Sequence, residues 1–245
     1  MISLRIVVVS ATSVIAQNCI QIWASSGSHT FELVGRSRER LEATATDLSL
    51  RFPGSKFIVS LVDFGSSESI GSLVKNLSQE PIDLVLVSQG SLTDQRRASS
   101  NLEYLQSELS LNAVSTAVVA EAFSAVLGLQ GFGTLGVIGS VAGDRGRAYN
   151  YSYGASKALL ETYTQGLQQR FASSPVAICL IKPGPTATPM TAEHKGAMAD
   201  PTKVAAVIVS GLAAKRRVIY APKLWRLIMF VVRLIPFAIF KRMTF

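Results

Sequence analysis

The chain has 245 residues, of which 48% are apolar and only 16% are charged, and its mean hydropathy is +0.32. This excludes a disordered chain, which would be polar and rich in charge, and ordinary glycine and proline contents exclude a fibrous one. The length allows one large domain or two small ones. Cys19 and Cys179 cannot form a disulfide framework, and His29 and His194 are too few and too scattered for a zinc site, so no metal is predicted.

The net charge of +8 lies at the C-terminus. Residues 1–214 contain 16 basic and 16 acidic residues, whereas residues 215–245 contain the other eight basic residues and no acid. The chain therefore reads as a neutral domain with a basic tail. The start, MISLRIVVVSATS, lacks the features of a signal peptide, so we expect a cytoplasmic protein with reduced cysteines.

Short runs rich in Val and Ile alternate with longer helical patterns along the chain. Strands are predicted at 4–9, 31–34, 56–61, 82–87, 134–139, 176–181 and 217–221. Helices are predicted between them, at about 14–26, 37–51, 67–79, 100–128, 151–172 and 201–214, the last after an Asp200-Pro201 N-cap. Strands that are apolar on both faces are typical of a parallel sheet with helices on both sides. The sequence thus predicts an α/β fold with a doubly wound parallel sheet, in which ligands bind at the carboxyl ends of the strands.

The strongest indication of a catalytic site is a Tyr-x-x-x-Lys motif. Tyr153 and Lys157 are four residues apart and share a helix face, and a lysine ammonium beside a phenol is expected to lower the pKa of the tyrosine. The pair would then act as a general acid or base, although a surface tyrosine and a solvated lysine fit the motif alone. Ser140 follows a predicted strand and is placed to bond a substrate carbonyl. Asn112, in a long helix, either is buried and holds a relay water or lies on the helix surface.

Together these residues resemble the short-chain dehydrogenase/reductase family. Asn112, Ser140, Tyr153 and Lys157 match the family's catalytic tetrad in order and spacing, and the resemblance covers about residues 4–221. It implies an NAD(P)H-dependent enzyme acting on CH–OH and C=O groups (EC 1.1.1.-). Tyr153 would donate the proton and also contact the cofactor, and Lys157 would bind the nicotinamide ribose. Ser140 would orient the carbonyl and Asn112 would hold the water.

Further positions match the family's cofactor site. The resemblance places Asp63 at the adenine and Gly90 where the cofactor sugar passes. The run KPGPTATPM is similar to the family's PGxxxT segment, so Pro183 and Gly184 would flank the nicotinamide and Thr188 would bond its carboxamide.

The first loop departs from the family's TGxxxGxG pattern, because Ser10, Val14 and Ala16 replace its three glycines. Val14 is the unfavourable change, since its branched side chain lies where the phosphates should pass. The helix N-terminus still offers free N–H groups. We expect the pyrophosphate to bind there, with a site formed by Ser10, Thr12, Ser13 and Ile15. A weakly binding or inactive homologue is the alternative.

The choice of cofactor depends on the segment after the second strand. NAD-specific members place an acid there for the ribose 2′-hydroxyl, whereas this chain has Arg36 and Ser37. Arginine suits a 2′-phosphate, so NADP(H) is predicted to be preferred, with NAD(H) possible. Alternatively, Arg36, Arg38 and Arg40 form only a solvated helix start.

The runs LVSQGSLTDQ and GSVAGDRGR and the C-terminal stretch are similar to a narrower branch of the family. Its members reduce a polyprenyl-phosphate-linked keto sugar and work with a flavin-dependent oxidase partner. The substrate is accordingly expected to be a lipid-linked keto sugar. The alternatives are another hydrophobic ketone, such as a 3-oxoacyl or steroid-like molecule, or a non-catalytic membrane scaffold.

The tail, residues 222–245 after a reductase domain of residues 1–221, contains the apolar stretch LWRLIMFVVRLIPFAIF. A helix of that length spans about 25 Å, short of the ~30 Å hydrocarbon core, and each buried arginine would cost roughly 2.5–3.5 kcal/mol. We expect a helix lying on the inner membrane face, kinked at Pro236, with Trp225, Phe230, Phe237 and Phe240 in the acyl region. The alternatives are a helix that is buried or packed within an oligomer, or a spanning helix.

Other partners follow from the same features. Nucleic acid is not expected, because the positions between the basic residues of the tail are aliphatic. A homo-dimer or tetramer is expected by resemblance, formed through the helices at 100–128 and 151–172.

Overall fold

The computed structural model describes residues 3–192 and 196–243. Seven parallel strands form one sheet in the order β3-β2-β1-β4-β5-β6-β7. The strands are β1 (Arg5–Val9), β2 (Thr30–Gly35), β3 (Lys56–Leu61), β4 (Leu84–Val87), β5 (Thr134–Ile138), β6 (Ala177–Pro183) and β7 (Val218–Ala221). The order reverses beside β1, which confirms the predicted doubly wound parallel sheet.

Helices connect the strands and cover both faces of the sheet. They are α1 (Val14–Ser26), α2 (Arg38–Arg51), α3 (Ser67–Leu77), α4 (Gln95–Ser100), α5 (Leu102–Leu109), α6 (Ser115–Gln130), α7 (Tyr151–Arg170), α8 (Pro201–Ala213), α9 (Trp225–Leu234) and α10 (Phe237–Phe240). Asp200 caps α8, accepting bonds from the N–H groups of Thr202 and Lys203, as the sequence predicts.

Alternating residues of β1 enter two separate cores. Ile6 and Val8 pack with residues of α1, α2 and α8, whereas Val7 and Val9 pack with residues of α3, α6 and α7. Burial on both faces explains why the central strands are uninterrupted apolar runs.

The helix expected at 100–128 is observed as a continuous helical stretch, Leu102–Gln130, with a π-helical turn inside it and the short helix α4 before it. Asn101 ends α4 and caps α5, accepting a bond from the N–H of Tyr104. A π-helical turn, Ser110–Val114, then separates α5 from α6 and contains Asn112. Such turns are frequent at functional sites because they reorient one residue within a helix.

Within the described ranges, one helical stretch, Leu102–Gln130, is long and apolar enough to cross a membrane. More than half of its most apolar segment is buried. Phe123 and Leu127 lie in the core together with residues of the sheet and of α7. It is a core helix of the domain. His29, elsewhere in the core, accepts a bond from the N–H of Leu4, and His194 lies outside the described residues.

The tail folds back onto the domain as two helices. The chain becomes extended at Ile235, and Pro236 precedes α10, so the predicted kink is a full break between helices. Arg145 donates to the carbonyl oxygens of Val232 and Ile235, the latter at 2.7 Å.

Two of the tail aromatics expected in the acyl region contact the domain, and their membrane placement stays a prediction. The Trp225 indole packs against Gly184, and the Phe240 ring lies 3.7 Å below the Arg145 guanidinium. Both rings are only half-buried, but they face the domain, where glycine and a guanidinium offer close partners. Phe230 and Phe237 remain exposed.

Candidate active site

The carboxyl ends of the central strands bring the candidate residues to one edge of the sheet. Ser10 follows β1, Gly90 follows β4, Ser140 follows β5 and Pro183 ends β6. Two adjoining cavities open there. The catalytic cavity, about 180 Å³, is lined by Ser140, Tyr153, Lys157 and the Pro183-Gly184 pair, among others, and the second lies towards β2.

Tyr153 is half-buried and lines the catalytic cavity. Burial raises the pKa of its phenol to about 12, and a hydrogen bond with Ser140 lowers that pKa only in part. The expectation that Lys157 lowers the pKa of Tyr153 below its usual value is therefore wrong, because desolvation of the phenolate is the largest effect on this pKa. The phenol is protonated at neutral pH, which is the form that donates a proton.

Lys157 lies one helical turn beyond Tyr153, with Nζ 5.6 Å from the centre of the phenol ring. Nζ donates to the backbone carbonyl oxygens of Ile138 at 3.3 Å and Gln89 at 3.5 Å. Burial lowers the pKa of Lys157 to about 8. These carbonyls hold the ammonium at the ends of β4 and β5, beside Gly90.

Ser140 is held by its own loop. Its Oγ accepts from the N–H of Ala142 at 3.1 Å, which caps the 3₁₀ turn Val141–Asp144. The far end of that turn is fixed by a buried ionic cluster, in which Lys182 contacts both Asp144 and Glu161, the latter at 2.7 Å. Because the charged groups are buried together, removing one of them would leave a buried charge without its partner and would destabilise the fold.

Asn112 is completely buried, so the surface alternative is excluded. Its Oδ1 accepts from the N–H of Ser91 at 2.8 Å, and its Nδ2 donates to Ser91 Oγ and Glu108 Oε2, each at 3.3 Å. The side chain therefore braces the loop after β4. Its predicted role in holding a water stays a prediction.

The second cavity, about 320 Å³, is the candidate cofactor cavity. It brings together eight of the residues predicted for the cofactor: Ser10, Thr12, Ser13, Ile15, Arg36, Ser37, Gly90 and Thr188. Asp63 does not line it; its carboxylate accepts from the N–H of Gly65, and the neighbouring Phe64 lines the cavity instead.

Ser10 adopts the left-handed backbone conformation that the family's first glycine provides, with φ of +59°. This conformation costs a non-glycine residue roughly 1–2 kcal/mol. Ser88 stabilises the turn, since its Oγ donates to the carbonyl oxygens of Val9 at 2.8 Å and Ser10 at 3.1 Å. The turn is thus preserved without its glycine.

The donors of this cavity fit a dinucleotide. No side chain caps the first turn of α1, although Ser13 is its N-cap residue, so the first N–H groups remain available to an anion. Val14 begins α1 and lines the cavity. Gly90 has φ of +150°, and a Cβ there would come within 2.9 Å of Asn112 Oδ1 and 3.2 Å of Lys157 Nζ. That close approach leaves space only for a glycine beside the ligand.

Sequence reasoning missed several residues of the site. Gln89, Arg147 and Tyr149 line the catalytic cavity, and Trp225 packs on Gly184 behind it. The run GDRGR lies three to seven residues after Ser140, and this closeness to a predicted site residue was a reason to expect Arg147 in the site. Nothing local in the sequence indicates that Trp225, 41 positions after Gly184, returns to that residue.

The sequence is similar to that of known proteins. The family model described as short chain dehydrogenase matches residues 5–199. An uncharacterized oxidoreductase from the mprA 5′ region of Streptomyces coelicolor is 29% identical over 241 residues, 98% of this chain and 95% of its own.

Two solved structures are similar in fold. A short-chain dehydrogenase from Sphingobium yanoikuyae in complex with NADPH is 18% identical, with a TM-score of 0.82, covering 99% of this chain and 96% of that one. A variant of actinorhodin polyketide ketoreductase with NADPH is 20% identical, with a TM-score of 0.78, covering 89% and 95%.

The chain belongs to the short-chain dehydrogenase/reductase family, because the family model matches most of its length. It is accordingly an NAD(P)-dependent oxidoreductase with a Rossmann-type fold in one domain.

Proposed function

We propose that this protein is an NADPH-dependent reductase of a hydrophobic ketone that it meets at a membrane surface. The observation that carries the proposal is the convergence of Ser140, Tyr153 and Lys157 on one cavity, which adjoins a second cavity lined by Arg36. The leading substrate is a polyprenyl-phosphate-linked keto sugar, and another hydrophobic ketone, 3-oxoacyl or steroid-like, is the runner-up.

Tyr153 is the proton donor of the proposed reaction. Bound NADPH supplies a hydride for the carbonyl carbon. Tyr153, protonated at neutral pH, gives its proton to the carbonyl oxygen, and the product is an alcohol. The Lys157 ammonium stabilises the phenolate left behind, which regains a proton from solvent, and Ser140 orients the carbonyl by a hydrogen bond. A positioned acid of this kind contributes typically 10²–10⁴-fold to the rate, and orientation of the reactants contributes more.

The preference for NADPH rests on Arg36, which lines the cofactor cavity at the end of β2 where no acid is present. A guanidinium there pairs with a 2′-phosphate. The two similar structures described above are both complexes with NADPH, which supports the same choice.

The lipid-linked substrate rests on the tail. Helix α9 exposes an apolar face while its opposite face packs beside residues 140–149, which we call the catalytic loop. Basic residues flank the helix. The narrower resemblance is to decaprenylphosphoryl-2-keto-erythro-pentose reductase, whose chemistry requires a flavin-dependent oxidase to form the ketone. Such an oxidase is the proposed partner. A homo-dimer or tetramer is also proposed, through exposed apolar residues of α6 and α7 such as Val118 and Leu159.

The test measures NADPH oxidation with a purified polyprenyl-phosphate keto-pentose and, separately, with 3-oxoacyl and steroid-like ketones. Tyr153→Phe should lower kcat by about 10²–10⁴-fold with NADPH affinity unchanged. Tyr151→Phe is the matched control, because Tyr151 is exposed on the first turn of α7. Wild-type turnover by Tyr153→Phe would refute the mechanism. Absence of NADPH binding by the wild type would refute the reductase altogether.

A further inference from the structure

A third cavity lies between the catalytic loop and the folded-back tail. It measures about 700 Å³, within the roughly 300–1,000 Å³ of ordinary ligand sites. Residues 146–149 form one wall, and Phe237, Phe240, Lys241 and Met243 form the other. We call it the tail cavity.

The tail cavity adjoins the catalytic cavity, because Arg147 and Tyr149 line both. The catalytic cavity itself is smaller, at about 180 Å³.

The walls of the tail cavity are fixed in place but incompletely covered. Arg145 bonds the end of α9 and stacks on Phe240, which anchors the tail wall. Yet Phe237 is 73% exposed and Tyr149 is 52% exposed. When an apolar molecule covers exposed aromatic surface in a preformed concavity, the free energy falls, because that surface leaves water.

The charge around the tail cavity is positive. Lys241 and Arg147 line it, Arg242 follows directly, and no acidic residue is among those lining it in the described part of the chain. The cavity therefore favours an apolar chain that carries an anionic group over a neutral or cationic one.

We propose that the tail cavity binds the apolar chain of an anionic amphiphile, the substrate, whose carbonyl end reaches Tyr153. The carbonyl part of this statement rests on the proposed function, whereas chain binding rests on the cavity alone. The tail then serves as a wall of the substrate site as well as a surface helix.

A glycine in the cavity wall allows a sharp test. A Cβ at Gly146 would meet no atom within 4 Å, so Gly146→Phe should place a ring in the tail cavity without a clash. Gly71→Phe is the matched control, because a Cβ at Gly71, on α3, also meets open space. Ala148→Phe, on the same wall as Gly146, is a second variant in case the first unfolds.

Binding is measured by calorimetry with dodecyl phosphate and butyl phosphate, below the concentration at which the longer one forms micelles. The wild type should bind dodecyl phosphate at least tenfold more tightly than butyl phosphate. Gly146→Phe should abolish that difference, and Gly71→Phe should preserve it. Equal binding of both probes by the wild type, or dodecyl phosphate affinity unchanged in folded Gly146→Phe, would overturn the proposal.

Activity then separates this proposal from the proposed function. In a series of ketones of increasing chain length, Gly146→Phe should remove the gain in kcat/KM with length and leave the shortest ketone within twofold of wild type. Chain binding without reduction of any ketone would refute the proposed function and leave the chain site standing. Reduction with the same length dependence in both proteins would refute the chain site alone.

Discussion

Trp225, the first residue of α9, lies against Gly184, directly after β6, so closely that the indole occupies the space a Cβ would need. The segment after β6 lines the catalytic cavity. Met229, one turn further along α9, is fully buried and accepts a bond from Arg147 at 3.5 Å. The tail is therefore joined to the site at two points, and its position and the shape of the catalytic cavity depend on each other.

This contact predicts strong coupling between the two residues. Gly184→Ala should destabilise the fold by about 1–3 kcal/mol, because the new methyl group overpacks against the indole. In a Trp225→Ala background the same change should cost little, giving a coupling of about 0.5–3 kcal/mol in urea unfolding. Additive effects of the two substitutions would show that the contact carries no energy.

The pKa of Lys157 predicts the pH profile of reduction. Burial lowers this pKa to about 8, while Tyr153 stays protonated across the range because its pKa is about 12. Reductive kcat/KM should be flat below pH 7 and should fall as pH rises through about 8, where the ammonium loses its proton. Lys157→Arg should move the fall to higher pH, since arginine stays charged. Activity that rises from pH 7 to pH 9 would contradict this assignment.

Arg36 should control the choice of cofactor. A charge-assisted bond to the 2′-phosphate contributes about 1.5–3 kcal/mol, so Arg36→Ala should weaken NADPH binding about 10–100-fold and leave NADH binding unchanged. Arg38→Ala is the control, because Arg38 is exposed and pairs with Glu42. Fluorescence titration measures the affinity of each variant for NADPH and for NADH. A uniform loss for NADPH and NADH would assign Arg36 to general phosphate binding.

The conformation of Ser10 predicts a stabilising substitution. Ser10→Gly removes a left-handed cost of roughly 1–2 kcal/mol and adds about 0.5–1 kcal/mol of glycine entropy, for a net gain of up to about 1.5 kcal/mol. Ser13→Gly should not stabilise, because Ser13 has an ordinary φ of −66°. Thermal unfolding of both variants provides the comparison, and destabilisation by Ser10→Gly would mean that the serine side chain outweighs the strain.

The outer face of α9 should bind anionic membranes. Leu227, Phe230 and Leu234 share this face, and each is more than 60% exposed. The double substitution Phe230→Asp/Leu234→Asp should reduce co-sedimentation with phosphatidylglycerol vesicles at least tenfold, because it removes apolar contacts worth about 1.5–3 kcal/mol each and adds negative charge.

The control for this membrane prediction is Leu50→Asp/Leu129→Asp, at equally exposed positions away from the tail. Equal sedimentation of all three proteins would exclude α9 as the membrane contact. The assignment of residues 222–245 as a separate membrane-associating unit would then fall too.

The fold was largely predictable from the sequence, because the signals that specify it are local. Each strand is a short apolar run, and Asp200-Pro201 marks the start of α8. The π-helical turn that contains Asn112 was not predictable in this way, since no glycine or proline stands in it. Within that turn Asn112 bonds Ser91, which is remote in sequence.

The sequence by itself determined the parallel sheet, the order of the catalytic residues and the positive charge of the tail, since these follow from hydrophobic periodicity, motif spacing and composition. Only the tertiary structure decided the sign of the Tyr153 pKa shift, because burial depends on the whole surrounding shell. It also decided where the tail lies. An apolar basic helix fits a membrane or a protein surface equally well in sequence. Only the contact of Trp225 with Gly184 and the bonds from Arg145 to the end of α9 show which of its faces is already covered.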